Sequence, residues 1–507
     1  MRIRGTDQDD TLMGTSRADV IRAFAGNDTI RGGGGRDEVY GGDGNDTIFV
    51  QASGSTSYGE GGDDSFLVEA NAGKQSYATQ IFGGDGTDVF DRSALPASSP
   101  FANESWTFSQ AGITVGDFIL NDIETLRASA ARNVFSFSDY TRPLTIYGNV
   151  ADDFFYMPSA GSTAYGGDGN DSFRFETNGS VMLGGKGNDL FTFEGFNLSD
   201  FTINGGLGVD TVEVYYASKI DLASGQLDAN YSHGKIVGVE NVTVLSNGEN
   251  GTGITVYGSA DDNTIAYYQS SVQVNFYGRD GDDVLRGSAG SDVLDGGAGD
   301  DTLIGGGGTD SLYGGEGIDT VDYSIPGNSI VAQLTDRGIG TIIIQGQTRN
   351  YVTDVENVTG SWTADTITGN RANNVLSGAG GNDVLNGKAG DDTLIVYNGA
   401  TRLTGGTGAD VFQFGLGGND VDLITDFSKA EGDKIALTCD ANTVLDGAQH
   451  FRRFIGEGEF TGHAGEVRFD HIGKATFVYA DTNGDAAADF PIKLTGSVAL
   501  EAGDFIF

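Results

Sequence analysis

The chain has 507 residues, of which 82 are glycine, only 6 are proline and 38% are apolar, and its formal charge is −43. So much glycine over so few apolar residues predicts a repeat solenoid with a thin core and little helix, not a row of globular domains. Acid in this excess argues against nucleic acid and acidic membrane surfaces as partners, and no stretch reaches the roughly 20 apolar residues that span a bilayer.

The N-terminal MRIRGTDQDDTL has no apolar signal segment, so export requires another signal. It enters a nine-residue pattern, G-G-x-G-x-D-x-U-x with U apolar, at Gly5. Aspartates follow in phase at Asp10, Asp19, Asp28, Asp37 and Asp46, and Asp64 comes eighteen residues after Asp46. The turns GTDQDD and GTSRAD are degenerate, and near Ser55 the turn is missing, which leaves ion ligands along one side of the coil. Asp88 lies twenty-four residues beyond Asp64, off that register, and is expected to stand outside the ligand ladder.

From Asp91 the motif gives way to alternating segments such as Trp106-Thr107-Phe108 and Ile113-Thr114-Val115, which predict strands. A second block holds Asp153, Asp171 and Asp189, with Asp210 displaced, and a second interruption follows. The densest block has Asp283, Asp292, Asp301, Asp310 and Asp319 in strict phase, and a last block has Asp365, Asn374, Asp383, Asp392 and Asp410. Asn374 offers an oxygen without a charge. Each interruption contains one signature: Ile123-Glu124-Thr125-Leu126, Val239-Glu240-Asn241-Val242 and Val355-Glu356-Asn357-Val358, with the glutamates 116 residues apart. The segments Leu144 to Asp153 and Ile254 to Asn263 also match, so tandem supermodules of one continuous solenoid are expected.

The physical logic is that glycines reverse the chain in six residues, and the x-U-x half is a short strand whose middle side chain points inward. Leu294, Leu303 and Leu312 are the expected core ladder. Two turns and two strands make an eighteen-residue coil, so aspartates eighteen apart stack about 4.8 Å from one another. Carboxylates at that spacing repel, and Ca²⁺, which takes about 6 to 8 oxygen ligands, is the cation that suits carboxylates joined by carbonyls.

This pattern resembles the calcium-binding nonapeptide repeat of RTX proteins. The segment Ala409 to Leu437 resembles the one that closes the repeats of serralysin-type members. The last residues, DFPIKLTGSVALEAGDFIF, resemble the family's C-terminal type I secretion signal. The resemblance implies an all-β fold: a parallel β-roll or β-helix solenoid with calcium-binding turns, followed by a small β-rich capping domain. It divides the chain into repeat blocks 1–90, 147–210, 257–325 and 360–410, β interruptions 91–146, 211–256 and 326–359, and a capping and secretion-signal domain 411–507. The expected cofactor is Ca²⁺, on the aspartates named above other than Asp88, Asp91 and Asp210. Asp481, Asn483, Asp485 and Asp489 also occupy positions one, three, five and nine of a calcium-loop pattern. Ala486 and Ile492 replace its glycine and glutamate, so an ion site and an ordinary acidic turn both stand open.

Serralysins carry a zinc protease domain ahead of their repeats, but this chain has no H-E-x-x-H, and His233, His450, His463 and His471 lack metal-ligand spacing. Cys439 is the only cysteine, which excludes an intrachain disulfide and favours a small buried side chain over a nucleophile. Aromatic pairs such as Tyr215-Tyr216, Tyr267-Tyr268 and Phe154-Phe155-Tyr156 are expected to place one ring in the core and its neighbour outside. The expected function is that of a secreted calcium-binding protein at the bacterial surface or extracellular matrix, structural or adhesive and not an enzyme. It would fold and self-associate on calcium as a homo-oligomer or lattice, after export by type I secretion machinery. An enzyme acting on surface polysaccharide, and a passive fragment whose catalytic half is encoded elsewhere, are the alternatives.

Overall fold

The computed structural model describes residues 1–69, 78–96, 105–110, 112–137, 140–157, 160–194, 198–215, 217–229, 232–246, 253–268, 272–324, 328–336, 339–345, 348–415, 420–437 and 453–507. Contacts divide the chain into two units, Met1–Gly251 and Thr252–Phe507. Both are built from short strands laid parallel on one another. Among the described residues the one helical element is the 3₁₀ turn Ala502–Asp504.

In the first unit, Thr11–Met13, Thr29–Arg31, Thr47–Val50, Ser65–Val68 and Val89–Asp91 stack in one sheet. Arg2–Arg4, Val20–Ala25, Glu38–Asp43, Thr56–Gly61 and Thr79–Asp85 stack in the other. Strands such as Thr29–Arg31, Thr47–Val50 and Ser65–Val68 bury alternate side chains, because period-two alternation turns one face of each sheet to the interior. The core is therefore a set of ladders one residue wide. Phe135, Phe155, Phe173 and Phe191 stack ring on ring at 4.8, 4.7 and 4.9 Å between centroids. In the second unit Leu285, Leu294, Leu303 and Leu312 are fully buried, as the phase of the repeat requires.

The interruptions are not loops. Ser105–Ser109, Gly112–Val115 and Phe118–Asn121 form an antiparallel meander inside one sheet: the last strand lies on Thr79–Asp85 and the first meets Val134–Phe137. Ile330–Gln333, Gly340–Ile344 and Thr348–Thr353 do the same between Ser311–Glu316 and Thr366–Thr368. Ala217–Asp221, Gln226–Ala229 and Ser232–Val237 form a third meander, whose last strand lies on Ser199–Leu207. Opposite each meander, among the described residues, the second sheet carries the strand of the glutamate signature: Thr125–Arg127, Asn241–Ser246 or Asn357–Thr359.

At the C-terminal end, Glu466–Ile472, Ala475–Asp481 and Phe490–Thr495 form an antiparallel sheet. It joins the stack through the pairing of Phe490–Thr495 with Asp422–Ile424, and Phe505–Ile506 pairs with Lys434–Leu437. The stack thus ends in a differently built sheet.

Candidate metal centre

The glycine-rich turns share one way of holding their aspartates. In residues 41–46 (GGDGND), Gly42 and Gly44 take φ of +119° and +128°, a region open to glycine without steric cost. Gly41 is needed for space: a Cβ there would stand 2.2 Å from Asp46 Oδ2 and 2.7 Å from the carbonyl oxygen of Gly59 on the next coil. Carboxylate and carbonyl therefore converge on the point that the missing side chain leaves open.

The aspartates form columns. The N–H of Asp28 donates to Asp46 Oδ1 (2.8 Å), that of Asp46 to Asp64 Oδ1 (2.8 Å), and that of Asp283 to Asp301 Oδ1 (2.7 Å), which continues to Asp319 (2.9 Å). The same link joins Asp10 to Asp28, Asp19 to Asp37, Asp153 to Asp171 and Asp189, Asp292 to Asp310, Asp365 to Asp383, and Asp392 to Asp410. All eighteen aspartates expected in the turns thus sit in columns. Asn374 is in line with them, its N–H on Asp392 Oδ1.

One oxygen of each carboxylate above the first rung is spent on this link, while the first rungs, Asp10 and Asp19, accept the N–H of Thr6 and Thr15 within their own turns. The other oxygen is buried and unpartnered in eleven of the eighteen, Oδ2 of Asp28, Asp46, Asp64, Asp153, Asp171, Asp189, Asp283, Asp301, Asp310, Asp319 and Asp392, and the same holds for Oδ2 of Asp88 and Asp210. A buried carboxylate oxygen with no donor is costly, and a divalent cation is the partner that satisfies it alongside carbonyls. Among the described residues no three His, Cys, Asp or Glu side chains converge on one point. An ion here must therefore take carboxylates in pairs and complete its shell with backbone carbonyls, as Ca²⁺ does. The residues fit the ion.

Electrostatics agree with the geometry. Burial pushes the carboxyl of Asp64 up to about 7 and that of Asp171 up to about 8. The donated N–H of the preceding aspartate pulls each back, and neighbouring column carboxylates raise each again. Not every turn is alike: Asp292 Oδ2 accepts the backbone N–H of Ser288 (2.6 Å) and Asp365 Oδ2 that of Ser361 (2.6 Å), so where serine stands at the second glycine's place the turn's own backbone reaches the carboxylate.

Asp88 corrects the expectation from spacing. The N–H of Asp64 donates to Asp88 Oδ1 at 2.9 Å, so Asp88 is the next rung of that column despite its twenty-four-residue separation. The extra residues lie before Thr79–Asp85, which still stacks on Thr56–Gly61. Asp210 is likewise in line, with Asp189 N–H on its Oδ1 at 2.8 Å. Spacing also hid Asn263 and Asn350, on column positions before Asp283 and after Asp310, and Asp422 and Asp433 past the last repeats. A second, exposed rail was missed as well: Asn27, Asn45 and Asp63 side chains accept the N–H groups of Asn45, Asp63 and Thr87 on the following coil. Its signal is the Asn or Asp at the fifth position of the turn.

The loop of Asp481, Asn483, Asp485 and Asp489 is drawn together by its own donors. Asp481 accepts the N–H groups of Gly484 (2.6 Å) and Ala486 (2.9 Å), Asp489 that of Thr482 (2.6 Å), and Asn483 that of Asp485 (2.8 Å). Ala486 takes φ +64°, the conformation a glycine would hold at that position. Of the histidines, His233 lies 2.8 Å from Asp228, His463 meets Thr461 and His471 meets Thr476; His450 and Cys439 lie outside the described residues. In the aromatic pairs, Phe155 and Tyr267 are in the core, Phe154 and Tyr156 are half-buried and Tyr268 is exposed; Tyr216 lies outside the described residues.

Comparison with known families agrees with this geometry. The RTX calcium-binding nonapeptide repeat (4 copies) matches residues 4–39, 23–52, 277–312, 286–321 and 359–394. Among solved structures, the extracellular lipase LipA from Serratia marcescens is similar at 16% identity, over 55% of this chain and 45% of that one, with a TM-score of 0.17. The chain thus spans under half the length of that lipase. No curated protein matches.

Proposed function

From the premise that this chain carries RTX calcium-binding nonapeptide repeats, we propose that its aspartate columns are serial calcium sites and that ion uptake is what folds the solenoid. The supporting observation is the row of buried, unpartnered Oδ2 atoms, since so many orphaned carboxylate oxygens are tolerable only with a cation among them. The ligands are the turn aspartates, with the carbonyls of the opening glycines on the next coil. The loop from Asp481 to Asp489 has its oxygens engaged by its own N–H groups and is the weaker candidate.

On this reading the chain is disordered at cytosolic calcium and condenses where calcium is millimolar, outside the cell. A secreted protein exported by type I machinery meets both conditions. Its role there is structural or adhesive, at a bacterial surface or matrix with polysaccharide as a candidate partner, and it self-associates once bound ions offset a charge of −43. Circular dichroism in chelator and then in millimolar Ca²⁺ tests the folding step: the β spectrum is expected only with the ion, and a full β spectrum without it would overturn the proposal. Sedimentation under the same two conditions tests association, which a monomer at high concentration in calcium refutes.

A further inference from the structure

Three glutamates stand where an aspartate column stops. The N–H groups of Asp88, Asp210 and Asp319 donate not to another aspartate but to Glu124 Oε2 (2.9 Å), Glu240 Oε2 (2.8 Å) and Glu356 Oε2 (3.0 Å). The backbone repeats as faithfully as the side chains. The N–H of each glutamate and of the residue after it converge on the aspartate's carbonyl: Glu124 and Thr125 on Asp88 at 3.2 and 2.9 Å, Glu240 and Asn241 on Asp210 at 3.2 and 2.9 Å, and Glu356 and Asn357 on Asp319 at 3.2 and 2.8 Å.

Two residues before each glutamate the chain turns left-handed, with φ of +53° at Asp122, +57° at Gly238 and +50° at Asp354. That twist aims a carbonyl at the cradle of the coil below. The point where a Cβ on Gly83 would stand is 1.9 Å from the carbonyl oxygen of Asp122 and 2.2 Å from Asp88 Oδ2. The corresponding distances are 1.9 Å (Gly238) and 2.2 Å (Asp210 Oδ2) at Gly205, and 1.8 Å (Asp354) and 2.4 Å (Asp319 Oδ2) at Gly314. An ordinary rung looks the same: at Gly59 the atoms are the Gly83 carbonyl at 2.5 Å and Asp64 Oδ2 at 2.0 Å.

Asp88, Asp210 and Asp319 are completely buried, and their Oδ2 atoms, aimed into these cradles, have no hydrogen-bond partner. What faces them is a short segment without the glycine turn: a left-handed residue, an apolar residue, and a glutamate whose extra methylene reaches across. We propose that Glu124, Glu240 and Glu356 are calcium ligands, each closing a column by completing a site with Asp88, Asp210 or Asp319 and the carbonyl of residue 122, 238 or 354. The segment D/G-I/V-E-T/N-L/V is then a half-site that accepts an ion from the coil below and offers none above, because its own N–H is turned back to the aspartate's carbonyl. The inference rests on the reading that the columns bind calcium.

The competing role is purely structural, with the glutamate serving only as acceptor for the last N–H of the column. Glutamine separates the two, since it keeps an acceptor oxygen and loses the charge. Native mass spectrometry and equilibrium dialysis would count ions on the full chain and on the triple variant Glu124→Gln, Glu240→Gln, Glu356→Gln, at the calcium concentration that just saturates the unaltered chain. Three fewer ions are expected, and one fewer for each single variant, which keeps the test readable if the triple variant does not fold. A triple variant with the same count and affinity overturns the closing sites alone. An unaltered chain that binds no calcium overturns the reading beneath them.

Discussion

Replacing Asp301 by asparagine tests the column geometry at one atom. Asparagine keeps the Oδ1 that accepts the Asp283 N–H at 2.7 Å, and the backbone N–H still reaches Asp319 at 2.9 Å, so the hydrogen-bonded column survives. What is lost is the charge on a buried oxygen with no hydrogen-bond partner, which on the proposed reading serves the ion below and the ion above. Weakening each of two ion sites about tenfold costs about 1.4 kcal/mol apiece, roughly 3 kcal/mol together. In the unit Thr252–Phe507, Asp283, Asp301, Asp310, Asp319 and Asp392 carry the unpartnered oxygens. Spread over roughly five ions taken up on folding, that loss raises the calcium midpoint about 2.5-fold; spread over a chain folding with thirteen, it raises it only about 1.4-fold. The assay is a calcium titration followed by circular dichroism, with Asp292→Asn as reference, because Asp292 Oδ2 already accepts the Ser288 N–H and its charge is less exposed to an ion. Asp88→Asn should likewise raise the midpoint, since both Asp88 and Asp301 are column members with an orphaned Oδ2. Equal midpoints for Asp301→Asn and Asp292→Asn would refute the assignment of the orphaned oxygens to ions.

Acid should act oppositely on the ion-free and calcium-loaded chains. Burial raises the folded-state values of Asp64, Asp153 and Asp319 to about 7 and that of Asp171 to about 8, so their contribution to ion-free stability is present below the ordinary carboxylate range and lost as pH rises through 7 to 8. In calcium-stripped buffer the chain should therefore gain β structure on acidification from pH 8 to pH 5, while calcium binding weakens over the same window; circular dichroism and a calcium electrode read the two, and no gain of structure contradicts the buried carboxylates. Gly278→Ala should cost about 1–3 kcal/mol, because its Cβ would stand 2.0 Å from Asp283 Oδ2 and 2.5 Å from the Gly296 carbonyl oxygen, whereas Gly503→Ala, with nothing within 4 Å, should be nearly neutral by thermal unfolding in calcium.

Most of the architecture was legible because a solenoid writes its geometry into spacing. Leu285, Leu294, Leu303 and Leu312 fall in the core for the same reason that Asp283, Asp301 and Asp319 fall in one column: the chain returns to the same edge every eighteen residues. Where a coil lengthens, residue count and rung count part company. Asp88 and Asp210 stayed hidden because twenty-four and twenty-one residues separate them from the rungs below, although the hydrogen-bonded columns are continuous. Glu124, Glu240 and Glu356 were visible as a signature, but their position on an aspartate column appears only once strands such as Thr125–Arg127 are paired with Val89–Asp91. Asp422 keeps the opening pair Gly417 and Gly418 but not the fourth-position glycine, and Asp433 has only Gly432 directly before it, so neither fits the repeat and the stacking is what marks them.

The meanders bear on the order in which the chain can come to rest. In a run of parallel coils each strand lands on one already laid, so a chain released from one end can condense as it appears. The meander of residues 105–121 forbids that: its last strand, Phe118–Asn121, is the one that lies on residues 79–82, and its first, Ser105–Ser109, ends outermost. The meander of residues 330–353 is threaded the same way, with Thr348–Thr353 innermost. The thermodynamic cost of waiting is small, about 0.6 kcal/mol for each doubling of the closed loop. The kinetic consequence is larger: condensation must pause at each meander until the whole of it is free, and growth therefore proceeds in supermodule-sized steps rather than coil by coil.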